Sequence, residues 1–239
     1  MNLNSITVVY PHFKTLDWLK RSIRSHRSKA LTTIKVVVVD TSWKESDHME
    51  VRSQLLGIAD HVVWLRINPV VFYFGCALEV SLPLCATISD SDITVMADTD
   101  TVMLRRNWDF ELRDLLAQHK LVAINPRSNH DKFKDMPEWN WMAFKRGDVV
   151  SLSGDAGLTF HDWGHHVAHH LNGSVYLFKY LSSPFPGKMA TITGNDNQPW
   201  VFHAFFATSK AAGDPRENNC AEAVTQDEIE KLCAELRVS

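Results

Sequence analysis

At 239 residues the chain is long enough to bury a sizeable core, as one large domain or two small ones. Its 45% hydrophobic and 22% charged residues are those of a globular protein and exclude a disordered one. A formal net charge of −3 gives no sign of the basic face that nucleic-acid binding needs.

The first 20 residues mix Asn, Thr, Tyr, His, Lys and Asp with apolar ones, which fits neither a signal peptide nor a spanning helix. Ser5–Tyr10 is a short β-branched run broken at Pro11, a strand. Leu16, Leu19 and Ile23 recur at helical spacing, with Thr15 as the N-cap. Ile34–Val39 is nearly unbroken β-branched sequence ending in Asp40, as in a strand covered on both faces. A strand over His61–Leu65 and a helix over Gly75–Ile88 follow, then a strand over Asp92–Ala97 that ends in Asp98-Thr99-Asp100. Trp108–Leu116 reads as a helix and Leu121–Ile124 as a strand. From Asn125 to about Asp155 the pattern weakens into a Pro-, Asn- and Trp-containing stretch, expected to be a lid, a loop or an irregular subdomain. A helix over Asp162–Leu171, strands at Val175–Phe178 and Trp200–Phe206, and a charged amphipathic helix over Thr225–Leu236 complete the chain.

This alternation predicts a doubly wound, mostly parallel α/β sheet with helices on both faces. Residues 1–125 form its first half, 126–224 a smaller acceptor-side half, and 225–239 a terminal helix. Ligands of such sheets bind beyond the carboxyl ends of the strands, where Pro11, Asp40 and Asp98 fall. Cys76, Cys85, Cys220 and Cys233 lack CxxC spacing and read as free thiols of a reducing compartment, so the cytoplasm is the expected location.

Asp98 and Asp100 offer two carboxylates just past a buried strand. Hard cations such as Mg²⁺ and Mn²⁺ favour oxygen ligands and keep positions open for phosphate. A DxD tripeptide also occurs in ordinary turns, but the apolar residues on both sides of this one suit a buried site.

Four segments in order over about residues 5–125 resemble the GT-A glycosyltransferases, especially the broad family 2 group: ITVVYPHF (6–13), IKVVVVDTS (34–42), FGCALEVSLPLCA (74–86) and ITVMADTDTVM (93–103). The resemblance implies a nucleotide-diphosphate sugar donor bordered by Pro11, Phe13 and Asp40. It implies that Asp98 faces ribose or metal and that Asp100 ligates Mn²⁺ or Mg²⁺. A late His often supplies a third ligand in these enzymes, and His203 within WVFHAFF fits that place; a core histidine is the alternative. The helix at Gly75 lacks the Ala-Arg-Asn usual in the family, and the second strand ends in one Asp where the family often has two.

The second half holds TFHDWGHHVAHHLNG (159–173). Asp162 can serve as the general base of an inverting transfer, taking the proton of the acceptor hydroxyl, or simply as a helix N-cap. His161, His165 and His169, with the His166–His170 pair, have zinc-compatible spacing, although no Glu follows any of them as HExxH requires. Trp139, Trp141 and Trp163 can stack on an acceptor sugar or pack a core. The expected activity is thus metal-dependent sugar transfer onto a carbohydrate or glycoconjugate hydroxyl, with surface-polysaccharide assembly as its setting and peripheral membrane contact left open. A nucleotidyltransferase and a non-catalytic zinc or nucleotide-binding module are the alternatives. The former usually carries an early Gly-rich loop, and PHFKTLDW (11–18) has no glycine.

Overall fold

The computed structural model describes residues 2–66, 88, 91–125, 137–151, 174–185, 190–204 and 224–238. In chain order these form β1 (Asn2–His12), α1 (Leu16–Ser28), β2 (Thr33–Asp40), α2 (Glu45–Gln54), β3 (His61–Trp64), β4 (Ser91–Ala97) and β5 (Thr101–Met103). There follow α3 (Trp108–Gln118), β6 (Leu121–Asn125), β7 (Glu138–Lys145), α4 (Arg146–Ser151), β8 (Val175–Ser182), β9 (Thr191–Asn195), β10 (Gln198–His203) and α5 (Gln226–Val238). The expected helices over 75–88 and 162–171 lie outside the described residues, apart from Ile88.

One ten-stranded sheet takes the order β3-β2-β1-β4-β7-β6-β8-β9-β10-β5. Its first four strands are parallel, with Val8 level with Val36 on one side and Val95 on the other. The unbroken Val36–Val39 run is explained by burial of both faces. Ile6, Val8, Tyr10, Val36 and Val38 pack with Leu19 and Ile23 of α1 and with Trp108 and Leu112 of α3, whereas Val9, Val37 and Val39 point to the opposite side.

The second half departs from a mostly parallel sheet. β7 enters antiparallel between β4 and β6, and the pairings β8–β9, β9–β10 and β10–β5 are antiparallel too. The sheet is therefore mixed: β6–β8 is still parallel, and of the antiparallel pairs β9–β10 closes by a two-residue hairpin. The stretch expected to be irregular holds β7 and α4. At the β9–β10 hairpin, Asp196 and Asn197 both take positive φ (47° and 57°), the backbone of a type I′ turn. Gly194 is required beside it: a Cβ there would stand 2.0 Å from the Gln198 carbonyl oxygen.

Thr15 precedes α1 as expected but makes no side-chain capping bond. Its hydroxyl is instead taken by Thr99 Oγ1 at 2.7 Å, which joins the β1–α1 loop to the turn after β4. The terminal helix α5 buries Ile229 and Cys233 against Phe202, Val102, Leu104 and Trp18. No helix among the described residues is long and apolar enough to cross a membrane.

Candidate metal centre

β4 delivers Asp98 at its carboxyl end, and a tight turn presents Asp100 two residues later. The turn is held by the Asp98 N–H on the Asn140 carbonyl (2.8 Å) and by the Thr101 hydroxyl on the Asp98 carbonyl (2.6 Å). The chain then enters β5, which pairs with β10 so that Thr101 stands opposite His203. Ala204 N–H closes the arrangement on the Asp100 carbonyl at 3.1 Å. A residue from late in the sequence is thereby carried to the DxD turn.

The three side chains are nearly sealed from solvent: Asp98 is 9%, Asp100 3% and His203 3% exposed. His203 Nε2 lies 3.2 Å from Asp100 Oδ1 and 3.7 Å from Asp98 Oδ2. One ligand atom from each lies within 4.8 Å of the others, the single such trio among the described residues. Burial pushes the His203 imidazole down, but the Asp100 carboxylate first and Asp98 after it outweigh that and hold it up to about 9. Two buried carboxylates thus draw a proton onto the ring, the same charge demand that a cation would meet. The side-chain amide of Asn140 sits 3.3 Å from His203 Nδ1, on the far side of the ring from the carboxylates. A support of that kind orients a ligating imidazole. Two carboxylate oxygens and one imidazole nitrogen fit an ion of the Mn²⁺ or Mg²⁺ class.

At the same end of the sheet, beyond β1 and β2, lies a cavity of about 440 Å³ bordered by His12, Phe13, Ser42, Trp43, Lys44 and Asp47. Lys14 on its rim adopts φ 59°, a left-handed backbone unusual for a side chain of that length. Asp40 is fully buried next to it. Its Oδ1 receives Ser42 Oγ (2.8 Å) and His12 Nδ1 (3.2 Å), and its Oδ2 receives His48 Nδ1 (2.8 Å). Burial alone would raise the Asp40 carboxyl, yet the donors from His12, His48 and Ser42 hold it below the usual range. The His48 ring lies flat on Trp64, centroids 4.9 Å apart.

The structure brings Asp98, Asp100 and His203 together, and it sets Phe13 and the end of β1 with Pro11 near Asp40. Trp141 is a correction: it is fully buried, donates its indole N–H to His26 Nε2 (3.1 Å) and packs edge-on against Trp108 and Trp200. It is a core residue with no face for a sugar. Trp139 lies on β7, and its side chain is outside the described residues, as are Asp162, Trp163 and the 161–170 histidines. Sequence reasoning missed His12, Ser42, His48 and Asn140. His12 was signalled only by its place between Pro11 and Phe13, and the others by nothing but the strand ends they follow or face.

Neither a family model nor a curated protein sequence matches the chain. Solved structures do. A mannosyltransferase from Pyrobaculum calidifontis, in complex with GDP-Man and Mn²⁺, superposes with TM-score 0.54 at 16% identity, over 72% of this chain and 54% of that one. The chain thus spans little more than half the length of that enzyme. The 4-diphosphocytidyl-2C-methyl-D-erythritol synthase from Anaerococcus prevotii superposes with TM-score 0.50 at 10% identity, over 73% of this chain and 86% of that one. With its parallel first half, acidic turn after β4 and antiparallel closing strands, the chain has a GT-A-like fold.

Proposed function

We propose that the protein is a glycosyltransferase that moves a sugar from a nucleotide-diphosphate donor to an acceptor hydroxyl. The observation that carries this reading is the buried Asp98–Asp100–His203 trio at the carboxyl end of β4, at the same end of the sheet as a cavity beyond β1 and β2. Support comes also from the fold, shared with an enzyme solved with GDP-Man and Mn²⁺.

Asp98, Asp100 and His203 would hold Mn²⁺ or Mg²⁺. Such an ion, when bound, supplies Lewis-acid stabilisation of the departing diphosphate. The residues around it have separable tasks. Asn140 and the Asp98–Thr101 turn fix the ligands before any substrate arrives, which lowers the reorganisation that the reaction must undergo. Pro11 and Phe13 border the nucleoside. Asp162 takes the proton of the attacking hydroxyl, giving inversion at the anomeric carbon. Trp139 and Trp163 stack on the acceptor. Nucleotidyl transfer on the same fold is set against by the β1–α1 loop, which has no glycine to cradle a triphosphate.

The test is calorimetric titration of UDP, GDP and dTDP with and without Mn²⁺, on the wild type and Asp100→Ala. Metal-dependent binding of a nucleotide diphosphate, weakened at least about tenfold in the variant, is the expected result. Absence of binding by every nucleotide in both conditions overturns the reading. Release of pyrophosphate rather than a nucleoside diphosphate during turnover would assign nucleotidyl transfer instead.

A further inference from the structure

Two buried threonines join the loop that borders the cavity to the turn that carries the carboxylates. β1 and β4 are parallel neighbours, with Val9 level with Met96, so the segments that leave them emerge side by side. Thr15 follows β1 and Thr99 follows β4. They are 5% and 2% exposed, and their hydroxyl oxygens lie 2.7 Å apart. Among the described residues neither hydroxyl has another partner. A Thr at this place before a helix ordinarily turns its oxygen onto the first N–H groups of that helix, and Thr15 does not. A local cap is forgone for a bond to a residue 84 positions away.

Each end of this bond sits inside a segment with a task. Thr99 is the middle residue of Asp98-Thr99-Asp100, so its backbone positions both carboxylates. Thr15 lies between Lys14 and Leu16, which border the cavity together with Phe13. Lys14 holds φ 59°, a left-handed backbone that persists in a long side chain only where its surroundings impose it. The anchored Thr15 immediately after it is such an imposition. Farther along α1, Ser25 Oγ receives the Met103 N–H at 2.9 Å, which fixes the helix at a second point to the strand after the turn. The two bonds tie loop, helix and turn into one unit.

A unit of this kind transmits a shift made at either end. When Asp98 and Asp100 close on an ion, Thr99 moves with them, and its hydroxyl carries Thr15 and the strained Lys14 along. A ligand that orders the loop does the converse, because coupling between two sites is reciprocal. Valine in place of either threonine keeps nearly the same volume. It removes one hydroxyl and leaves the other buried without a partner, so the mechanical link is lost at its only polar contact.

Resting on the nucleotide-donor reading above, we infer that Thr15 and Thr99 are positioning residues whose hydroxyl bond couples ion binding at the DxD turn to ligand binding at the β1–α1 loop. Both act through the residues beside them. The coupling they supply adds to any direct contact between an ion and a diphosphate, so its loss weakens the cooperation of the two ligands without abolishing it.

The experiment measures the factor by which saturating Mn²⁺ tightens the binding of UDP and GDP to the full chain. It compares the wild type with Thr15→Val, Thr99→Val, the double variant and Thr99→Ser. Each valine should lower that factor about fivefold, the scale of one buried hydrogen bond, and the double variant should lower it no further. Thr99→Ser keeps the hydroxyl and should retain the wild-type factor. Because the factor is a ratio of two affinities of the same folded protein, a mere loss of stability leaves it unmoved. An unchanged factor in the folded valine variants overturns the inference, as do losses that add in the double variant. Failure of both nucleotides to bind the wild type overturns the donor reading instead, and the link is then judged without nucleotide. For that, backbone amide spectra are recorded with Mg²⁺ alone, a diamagnetic ion that leaves the signals sharp. The amides of Phe13, Lys14 and Leu16 should shift on saturation in the wild type and Thr99→Ser, and far less in Thr99→Val. Amides that stay in place in the wild type, or that shift equally in Thr99→Val, overturn the inference.

Discussion

His26 shows how much chemistry one buried ring can absorb without catalysing anything. Trp141 donates its indole N–H to His26 Nε2, so Nδ1 must hold the proton, and it faces the Ser22 carbonyl at 3.0 Å and the Tyr10 hydroxyl at 2.9 Å. Burial depresses the imidazole from 6.5 to about 4, the Ser22 carbonyl opposing it only in part. The sign follows from linkage. A folded-state pKa below the unfolded one leaves stability intact above pH 6.5, and the unfolded chain gains protons first as the pH falls. Stability should therefore drop between pH 6.5 and about 4 by about 3 kcal/mol from this group, and level off below that. Urea midpoints across this window, compared between wild type and His26→Gln, check it: the variant's slope should be markedly flatter. At the same scale, Asp98 and Asp100 were legible because a DxD after a buried strand is a local pattern. The clamp on Asp40 was not, since His12 and His48 reach it from different elements and no spacing rule links them.

Elements with a strong period were read from the sequence, and those without one were not. β1, β2 and β4 are β-branched runs and α1 has an apolar stripe, so each was expected near its observed place. The helix α2 buries little beyond His48 and Val51 and leaves no stripe to read. β7 runs buried from Asn140 to Phe144 on both faces, so the alternation that marks a half-exposed strand is missing and its Asn and Trp residues resemble a loop. Only three residues form β5, too few for any period. The β9–β10 hairpin gives the sharpest prediction for an element. Gly194→Ala would drive a methyl group into the Gln198 carbonyl, a backbone atom that cannot swing aside. The variant should lose about 2 kcal/mol or more in chemical denaturation, and weaken Mn²⁺ binding too, because β10 carries His203. Ile229→Ala in α5 would remove a fully buried side chain packed on Phe202 and should cost about 2–5 kcal/mol. A melting curve of each variant decides both.

At the scale of the whole molecule, two sheet halves divide the work. The parallel strands place loop residues around a cavity, and the antiparallel ones fold the end of the sequence back onto the DxD turn. The order of the parallel half was implied by the β-α-β alternation, whereas the mixed half was hidden because strand direction is not encoded in hydrophobic period. A ligand that binds the native state alone stabilises it by an amount that grows with the logarithm of its concentration above the dissociation constant. Mn²⁺ at about a hundred times its dissociation constant should add about 2.7 kcal/mol, removable by EDTA and absent in His203→Ala. An equal shift in that variant would place the ion elsewhere.

Among the described residues, β5 is the last strand of the sheet, with β10 as its one strand neighbour. Its Met103 N–H is capped by the Ser25 hydroxyl of α1 at 2.9 Å, and its own first residue stands opposite His203. An edge this short opens easily by itself, and opening it separates the carboxylates from the imidazole. The two processes share one lever, so amide deuterium exchange at Thr101–Met103 would gauge occupancy of the centre from the backbone alone. In the ion-free protein these amides should exchange among the fastest of the sheet. With Mn²⁺ bound they should slow toward the rate of the central strands, turning the weakest margin of the sheet into its most sensitive sensor.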